Sequence, residues 1–294
     1  MRRSLTPLVL AASLVLVASM GAGATTTLPA VGTPAAAVDL RSLPGSFAYA
    51  GGLAIPLEAA RPSWYTDALH QKVLAKNGQP LAAPAQAPLP SEVGIRPGAW
   101  MLFPSGCTMN FIFAKSGSYA IGTAGHCVGK LGSPVTLITL APGTSNPVLV
   151  DVGNVIAKHD NGVGDDFALV SVNPALNSWV DPTIAVVGGP CGKFTGSGPQ
   201  TIFHYGHGLA IGTGGTPRAG VALSWTSNAF GWDGEAILGD SGSPVRIGTL
   251  PAAGNLTHLV VDTKWVPSFI VGTRISKILS IAKGWSLVSS SLCV

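Results

Sequence analysis

Short apolar or alternating runs recur along the chain from Trp100 onward, and clusters of Gly, Pro, Asn or Ser separate them. Runs of this length between turn residues are typical of β-strands, in which alternate side chains face one core. The runs that we interpret as strands are Met109–Phe113, Val135–Leu140, Val148–Ile156, Phe167–Val172, Thr183–Val187, Thr201–Tyr205, Val221–Trp225, Pro244–Ile247, Leu259–Val261 and Phe269–Val271. Many short strands at this spacing predict an all-β domain, arranged as a sandwich or as barrels.

Near the end of the chain the apolar period changes from that of a strand to that of a helix. Between Arg274 and Lys283, apolar residues stand at positions 275, 278, 279 and 282, which lie on one helical face. Gly284 follows and is well suited to end a helix. The sequence therefore predicts one C-terminal helix after the strands.

Residues 25–95 differ from the rest because Ala and Pro dominate and no regular alternation appears. Such a composition favours extended, poorly packed chain, so we interpret 25–95 as a pro-segment or linker. The alternative is an ordered N-terminal extension of the domain that follows. A short helix around Ser63 to Lys76 is compatible with either interpretation.

The first 24 residues have the pattern of a secretory signal peptide. Two arginines follow Met1, an apolar run extends from about Leu8 to Val17, and Ala22-Gly23-Ala24 forms a small-x-small cleavage site. The apolar run is shorter than the roughly 20 residues that a membrane-spanning helix needs. We expect cleavage after Ala24, export from the cell and no membrane association afterwards.

Composition narrows the classes of function. Charged residues make up 10% of the chain, against about 25% in a typical globular protein, whereas Gly (38) and Pro (23) are abundant. Turns between short strands use many such residues. From residue 96 onward, eleven Lys and Arg stand against nine Asp and Glu, without basic clusters, which argues against a nucleic-acid partner.

The segment Gly239–Pro244, with sequence Gly-Asp-Ser-Gly-Ser-Pro, is the strongest chemical signal. A nucleophilic serine needs an exposed hydroxyl on a tight turn and backbone N–H groups that face the developing oxyanion. Gly239 and Gly242 would allow both the turn and a close approach of substrate. Alone, the same motif would also suit an ordinary surface turn.

Two further segments supply a candidate base and its orienting acid. His126 lies in Thr123–Cys127, and histidine suits general acid–base work because its ordinary pKa is near neutrality. Asp166 stands at the head of the apolar run 167–172, where a carboxylate is well placed to orient an imidazole. Its neighbour Asp165 is better explained as part of a solvated turn.

Taken in order, Thr-Ala-Gly-His-Cys, Asp-Phe-Ala-Leu and Gly-Asp-Ser-Gly-Ser-Pro resemble the motifs of the chymotrypsin-like (trypsin-like) serine peptidases, closest to their secreted bacterial branch. The order His, Asp, Ser differs from that of subtilisin-like and α/β-hydrolase enzymes. The resemblance implies that residues 96–294 form two six-stranded antiparallel β-barrels followed by a helix. It also implies a secreted endopeptidase made with a pro-segment, acting on proteins or peptides.

The resemblance assigns a role to each matching residue. Ser241 would attack the scissile carbonyl, His126 would transfer its proton, and Asp166 would orient and stabilise the imidazolium. The backbone N–H groups of Gly239 and Ser241 would form the oxyanion hole. This chemistry requires neither a metal ion nor an organic cofactor, and we interpret His204 and His207 as residues of a strand and its turn.

The chain departs from the family pattern before the nucleophile. Many members begin with Ile-Val-Gly-Gly, whose new amino group pairs with the aspartate next to the serine, and this chain lacks that sequence. We therefore expect Asp240 to pair with an internal arginine such as Arg218.

Primary specificity is predicted from one position. Glu235 lies six residues before Ser241, where trypsin-like members carry the acid at the base of the primary pocket. A carboxylate there predicts cleavage after Arg or Lys. The alternative is that Glu235 lies on a solvated loop.

Four cysteines allow three disulfide connectivities, and the sequence alone does not choose among them. A bridge between Cys107 and Cys127 would fix the loop that carries His126 to the strand before it. Cys191 and Cys293 would then remain as the second pair, although Cys293 lies beyond the terminal helix of the family.

The main alternative to an active peptidase is a catalytically silent binding protein with the same fold. Loss of a triad residue would mark such a protein, and all three are present. An esterase of the Gly-Asp-Ser type would place its serine early in the chain, before the Asp and His. We expect a monomer, because no sequence feature indicates an interface.

Overall fold

The computed structural model describes residues 38–39, 53–208, 215–261 and 267–293. The predicted signal peptide and its cleavage site lie outside these residues. The strands are β1 (Val38–Asp39), β2 (Leu53–Pro56), β3 (Leu81–Ala82), β4 (Trp100–Phe103), β5 (Cys107–Thr108), β6 (Ile112–Lys115), β7 (Ser118–Thr123), β8 (Pro134–Leu140), β9 (Pro147–Asp160), β10 (Asp166–Ser171), β11 (Gln200–Gly206), β12 (Thr216–Trp225), β13 (Ala229–Gly234), β14 (Pro244–Ile247), β15 (Ala252–Val261), β16 (Pro267–Arg274) and β17 (Ser286–Leu287). The helices are α1 (Asp67–Leu74), a 3₁₀ helix (Pro174–Trp179) and α2 (Ile275–Ile281).

The first half of the domain is a curled antiparallel sheet with the order β17-β6-β7-β10-β9-β8-β4-β5. Apolar residues of alternating strand positions point into the curl and form one buried cluster that includes Met101, Met109, Ile121 and Val150. This alternation follows from the two-residue period of a strand, which places every second side chain on the inner face.

The second half is a closed barrel. Its order is β15-β14-β11-β12-β13-β16, and pairing between β15 and β16 joins the two ends of the series into six closed strands. Phe230 and Trp232 stack in its interior with ring centroids 5.1 Å apart, and the partly buried Trp225 stacks on Phe230 at 5.2 Å. Closure removes the edge strands that an open sheet would expose.

A third apolar cluster joins the two halves and α2. It contains Phe113 and Phe167 of the first sheet, Tyr205 of the barrel, and Ile275 and Ile278 of the helix. The predicted C-terminal helix is thus confirmed, with its apolar face buried. Gly284, with φ of +79°, ends the turn that follows the helix.

Residues 53–95 pack against both halves. Strand β2 pairs with β15 of the barrel, β3 pairs with β9 of the first sheet, and α1 contacts β8 and β9. Helix α1 (Asp67–Leu74) is the short helix that was expected near residues 63–76. The packing continues past residue 95 without a break, which agrees with the alternative that this region is an ordered N-terminal extension of the domain. Removal of residues 25–95 from the mature protein remains a prediction.

The strand pairing confirms the predicted all-β, chymotrypsin-like fold of two antiparallel barrel halves followed by a helix. The first half is a curled sheet, and among the described residues no strand pairing joins its two ends. The described residues also contain no helix that is long and apolar enough to cross a bilayer.

Candidate active site

Three different elements position the predicted triad. Asp166 is the first residue of β10, and β10 pairs with β7, whose last residue Thr123 leads into the turn that carries His126. Ser241 lies in the loop between β13 and β14 of the barrel. The site thus spans the junction between the two halves.

The three side chains form a continuous hydrogen-bonded line. His126 Nδ1 lies 2.6 Å from Asp166 Oδ2, and His126 Nε2 lies 2.8 Å from Ser241 Oγ. A carboxylate accepts but does not donate, so His126 donates from Nδ1 and leaves Nε2 as the acceptor. Ser241 Oγ also lies 2.9 Å from the Thr257 carbonyl oxygen, which gives its single proton two acceptors.

The electrostatics of His126 and Asp166 favour a protonated His126 beside an ionised Asp166. Burial disfavours a charged His126, but the nearby Asp166 carboxylate outweighs it and raises the pKa of His126 above its ordinary 6.5. Burial likewise works against ionised Asp166, yet the charge and hydrogen bond of His126 hold the pKa of Asp166 below its ordinary value. The line can therefore take the proton of Ser241 onto His126.

Backbone N–H groups hold the carboxylate of Asp166, and barrel side chains hold its backbone carbonyl. Its Oδ1 accepts from the backbone N–H groups of Gly125 at 2.5 Å and His126 at 3.1 Å. Thr273 Oγ1 and Asn255 Nδ2 donate to its carbonyl oxygen at 3.0 and 3.3 Å. The sequence analysis missed Thr273 and Asn255, since neither belongs to a recognisable motif.

His258 is a second buried histidine beside the line. Its Nδ1 lies 3.7 Å from Asp166 Oδ2 and 2.9 Å from Thr257 Oγ1, and its ring centroid is 5.5 Å from that of His126. Burial lowers the pKa of His258 to about 4, so it is neutral at ordinary pH. The sequence treated it as structural because no local motif surrounds it.

Two groups in the described residues bring three potential metal donors together. One comprises Cys107, His126 and Cys127, but its two sulfurs are joined in a disulfide. The other comprises His126, Asp166 and His258, whose donor atoms lie within 4.8 Å of one another and already take part in the contacts described above.

The loop around Ser241 depends on two glycines in the left-handed region. Gly239 has φ of +102° and Gly242 has φ of +91°. A Cβ at Gly239 would lie 2.5 Å from the His207 carbonyl oxygen, and one at Gly242 would collide with the Thr108 carbonyl oxygen. Thr108 also holds this loop, because its hydroxyl donates to the Gly239 carbonyl at 2.9 Å.

The predicted partner of Asp240 is confirmed. Arg218 Nη1 on β12 lies 2.7 Å from Asp240 Oδ2, and both side chains are buried. The same carboxylate oxygen accepts from the Ile237 N–H at 2.8 Å. Asp240 is thus paired with an internal arginine, as expected for a chain that lacks the Ile-Val-Gly-Gly start.

The two N–H groups assigned to the oxyanion hole point to a single oxygen atom. Gly239 N and Ser241 N both donate to the Leu57 carbonyl oxygen, at 2.6 and 3.2 Å. Two donors that converge beside a nucleophile are the arrangement needed to stabilise a negatively charged tetrahedral oxygen. The sequence did not foresee that Leu57 would lie there.

Glu235 is corrected by its position. The residue is exposed on the loop after β13, and its backbone carbonyl accepts a hydrogen bond from His204 at 3.0 Å. An exposed carboxylate on this loop does not form the base of a closed pocket. The exposed position favours the alternative that Glu235 lies on a solvated loop.

The structure contains both disulfides whose pairing the sequence left open, and it places His204 and His207. Both disulfides, Cys107–Cys127 and Cys191–Cys293, are present, and the first joins β5 to the turn that carries His126. His204 lies in β11 and His207 directly follows it. His207 stacks on Trp100, and its Nε2 lies 2.9 Å from Glu92 Oε2.

No family model and no curated protein sequence matches the chain. Solved structures that match include Thermobifida fusca Protease A, at 20% identity and a TM-score of 0.45 over 67% of this chain and 99% of that one. Alpha-lytic protease homolog N4 matches at 20% identity and 0.48, over 65% and 98% of the two chains. A glutamic acid specific serine protease with a histidine triad in substrate binding matches at 16% identity and 0.48, over 66% and 100%. Values this low transfer neither activity nor residue roles, so the fold rests on strand pairing and the chemistry on the contacts above.

Proposed function

We propose that the protein is a secreted serine endopeptidase that hydrolyses peptide bonds through an acyl-enzyme. The observation that carries the proposal is the line of contacts from Asp166 through His126 to Ser241, with 2.6 and 2.8 Å separations, beside two convergent N–H donors. A nucleophile, a base and a group that orients the base are the minimum set for this chemistry.

In the first half of the reaction, Ser241 Oγ attacks the carbonyl carbon of the scissile bond while its proton moves to His126 Nε2. Gly239 N–H and Ser241 N–H stabilise the oxyanion of the tetrahedral intermediate. Asp166 stabilises the imidazolium through Nδ1. His126 then gives the proton to the leaving amine nitrogen, and the carbon–nitrogen bond breaks.

In the second half, water replaces the amine. His126 takes a proton from the water as its oxygen attacks the ester carbonyl of the acyl-enzyme, and the same N–H groups hold the second oxyanion. Return of the proton to Ser241 Oγ releases the carboxylic acid product. Each turnover consumes one water and restores the starting protonation of the site.

Secretion forms part of the proposal for two reasons. The N-terminal pattern predicts a signal peptide, and two disulfides suit an oxidising compartment outside the cytoplasm. We propose protein or peptide substrates and no metal ion or organic cofactor, since the residues already supply base, nucleophile and oxyanion donors.

Labelling with a serine-directed fluorophosphonate tests the proposal. Wild type should be labelled at Ser241, whereas Ser241→Ala and His126→Ala should show no labelling, and kcat should fall by about 10⁴–10⁶-fold in either variant. Ser243→Ala provides a matched control, since it changes a serine two residues away. A folded wild type whose Ser241 does not react, even after the Leu57 carbonyl has left the Gly239 and Ser241 N–H groups, would favour the silent binding protein instead.

A further inference from the structure

Residues 53–59 cross the proposed active site, beginning with strand β2 and ending at the bridge between Ala59 and Gly106. Strand β2 pairs with the later part of β15, beyond the residues of β15 that pair with β14, and Ile55 lies opposite Leu259 and Pro56 opposite His258. An extended peptide that joins a sheet edge through backbone hydrogen bonds is a common mode of peptide recognition. This segment therefore binds as a peptide would, although it belongs to the same chain.

The segment is also held on the other side of Ser241. Ala59 N–H donates to the Gly106 carbonyl at 2.8 Å, and Gly106 N–H donates to the Ala59 carbonyl at 2.9 Å. Gly106 directly precedes Cys107, whose disulfide reaches the turn of His126. The chain is thus anchored before and after the position of the nucleophile.

Leu57 lies between these anchors, at the centre of the site. Its N–H donates to the Thr257 carbonyl at 3.2 Å, and its own carbonyl oxygen accepts from both Gly239 and Ser241. Its side chain is only 3% exposed and packs into an apolar cluster of the barrel that includes Ile202. Backbone, carbonyl and side chain are all engaged at this one residue.

We propose that the protein holds its own Leu57–Glu58 peptide bond as a substrate and cleaves it. The inference rests on the proposed function, because it requires Ser241 to act as a nucleophile. The carbonyl that occupies the oxyanion donors identifies the bond, and the apolar surroundings of Leu57 identify the substrate class. Peptides with leucine or a similar apolar residue before the scissile bond fit this site.

The cleavage balances without any co-reactant other than water. Ser241 Oγ forms an ester with the Leu57 carbonyl carbon, its proton passes through His126 to the Glu58 nitrogen, and the Leu57–Glu58 bond breaks. Water then hydrolyses the ester, which leaves a carboxylate on Leu57, an amino group on Glu58 and a free Ser241 hydroxyl.

The proposal sets the start of the mature enzyme at Glu58, before the segment that includes α1. Residues that follow Glu58 stay attached through Tyr65, Val73 and β3, which pack on the first sheet. Residues 53–57 block the cleft until they leave. Residues 58–95, which the sequence predicted to belong to the pro-segment, would therefore remain as part of the domain.

N-terminal sequencing and intact mass of the purified full chain test the bond. Wild type should yield a new terminus at Glu58, at a rate that does not change with protein concentration, and Ser241→Ala should slow this cleavage by about 10⁴-fold or more. Cleavage by the enzyme at another bond, with Leu57–Glu58 intact, would overturn the proposal.

Leu57→Asp supplies the second arm, because a carboxylate does not fit an apolar cluster. We expect cleavage at residue 57 to slow by at least about 100-fold, while Leu89→Asp, at an exposed position outside residues 53–59, cleaves like wild type. Leu57→Asp should also free the cleft, so Ser241 should react with fluorophosphonate in the uncleaved chain.

The two arms separate failure of the inference from failure of the proposed function. Uncleaved wild type together with labelled Leu57→Asp would mean that the nucleophile is competent but that Leu57–Glu58 is not its substrate. Uncleaved wild type together with unlabelled, folded Leu57→Asp would remove the proposed function, and the inference with it.

Discussion

Residues 53–59 and 60–95 belong to one Ala- and Pro-rich stretch, yet they are held in different ways. The first region lies along β15 and Gly106 and is held by backbone hydrogen bonds on both sides of Ser241, together with the buried side chain of Leu57. The second region is held by side chains, since Tyr65 and Val73 are fully buried with residues of the first sheet.

With the proposed cleavage after Leu57, this difference separates residues 53–57, which can leave, from residues 60–95, which cannot. Backbone hydrogen bonds at a sheet edge are exchanged for bonds to water with little net loss, about 1 kcal/mol each. Buried aromatic and aliphatic side chains lose far more on exposure, because each stabilises the fold by about 1.5–3 kcal/mol. Composition alone therefore does not distinguish an inhibitory strand from a structural extension.

The largest expected effect comes from Asp166→Asn. The substitution removes the carboxylate that orients His126, so kcat should fall by about 10⁴-fold and residues 53–57 should remain attached. The second region should be unaffected, with hydrogen exchange in α1 as in wild type. Kinetics on a leucine peptide and intact mass measure the two outcomes; full activity would show that Asp166 is not needed.

Arg218→Ala should produce the next largest effect. It leaves Asp240 buried without its partner in the loop whose N–H groups hold the Leu57 carbonyl, at a cost of about 3–5 kcal/mol in the free energy of unfolding. Arg61→Ala, which removes a surface ion pair with Asp67 in the second region, should cost less than about 1 kcal/mol. Urea unfolding compares the two, and equal effects would contradict the difference in burial.

Val73→Ala tests the second region directly. Its buried side chain packs α1 onto the first sheet, so we expect a loss of about 1–3 kcal/mol in the free energy of unfolding of the cleaved enzyme. Leu53→Ala should have no effect there, because residues 53–57 have left after the cleavage. A cleaved enzyme that tolerates Val73→Ala would mean that the second region is dispensable.

The smallest effect is a displacement of the pH profile. His126 must be neutral to accept the Ser241 proton, and Asp166 raises the pKa of His126 above 6.5. On the cleaved enzyme, kcat/KM should therefore rise with pH through a midpoint above 6.5 and fall about tenfold per pH unit below it. A midpoint below 6.5 would mean that Asp166 does not stabilise the imidazolium.

The sequence predicted the parts of the site that follow local rules. His126, Asp166 and Ser241 stand in motifs whose glycines and strand boundaries determine the local backbone. Arg218 was predicted because the chain lacks the Ile-Val-Gly-Gly sequence whose amino group would pair with Asp240, so an internal arginine was expected instead.

The parts that the sequence missed depend on distant pairings. Nothing in residues 53–59 indicates β15 as a partner, because an edge strand is recognised by its backbone rather than by a side-chain pattern. The run 183–187 was predicted as a strand, but the structure has a turn there, with Val186 at φ +63° and 75% exposed. An apolar run alone does not supply a neighbouring strand to pair with.

If the chain is cleaved after Leu57 as proposed, the placement of β2 also governs how fast the enzyme is switched on. A peptide tethered within its own cleft has an effective concentration in the millimolar range or above, so external substrates compete poorly before the bond is cut. After cleavage the tether is gone, and simple dilution drives the strand away. Residence time of the clipped strand, rather than the chemistry of cleavage, would then set the delay before the first external substrate is processed.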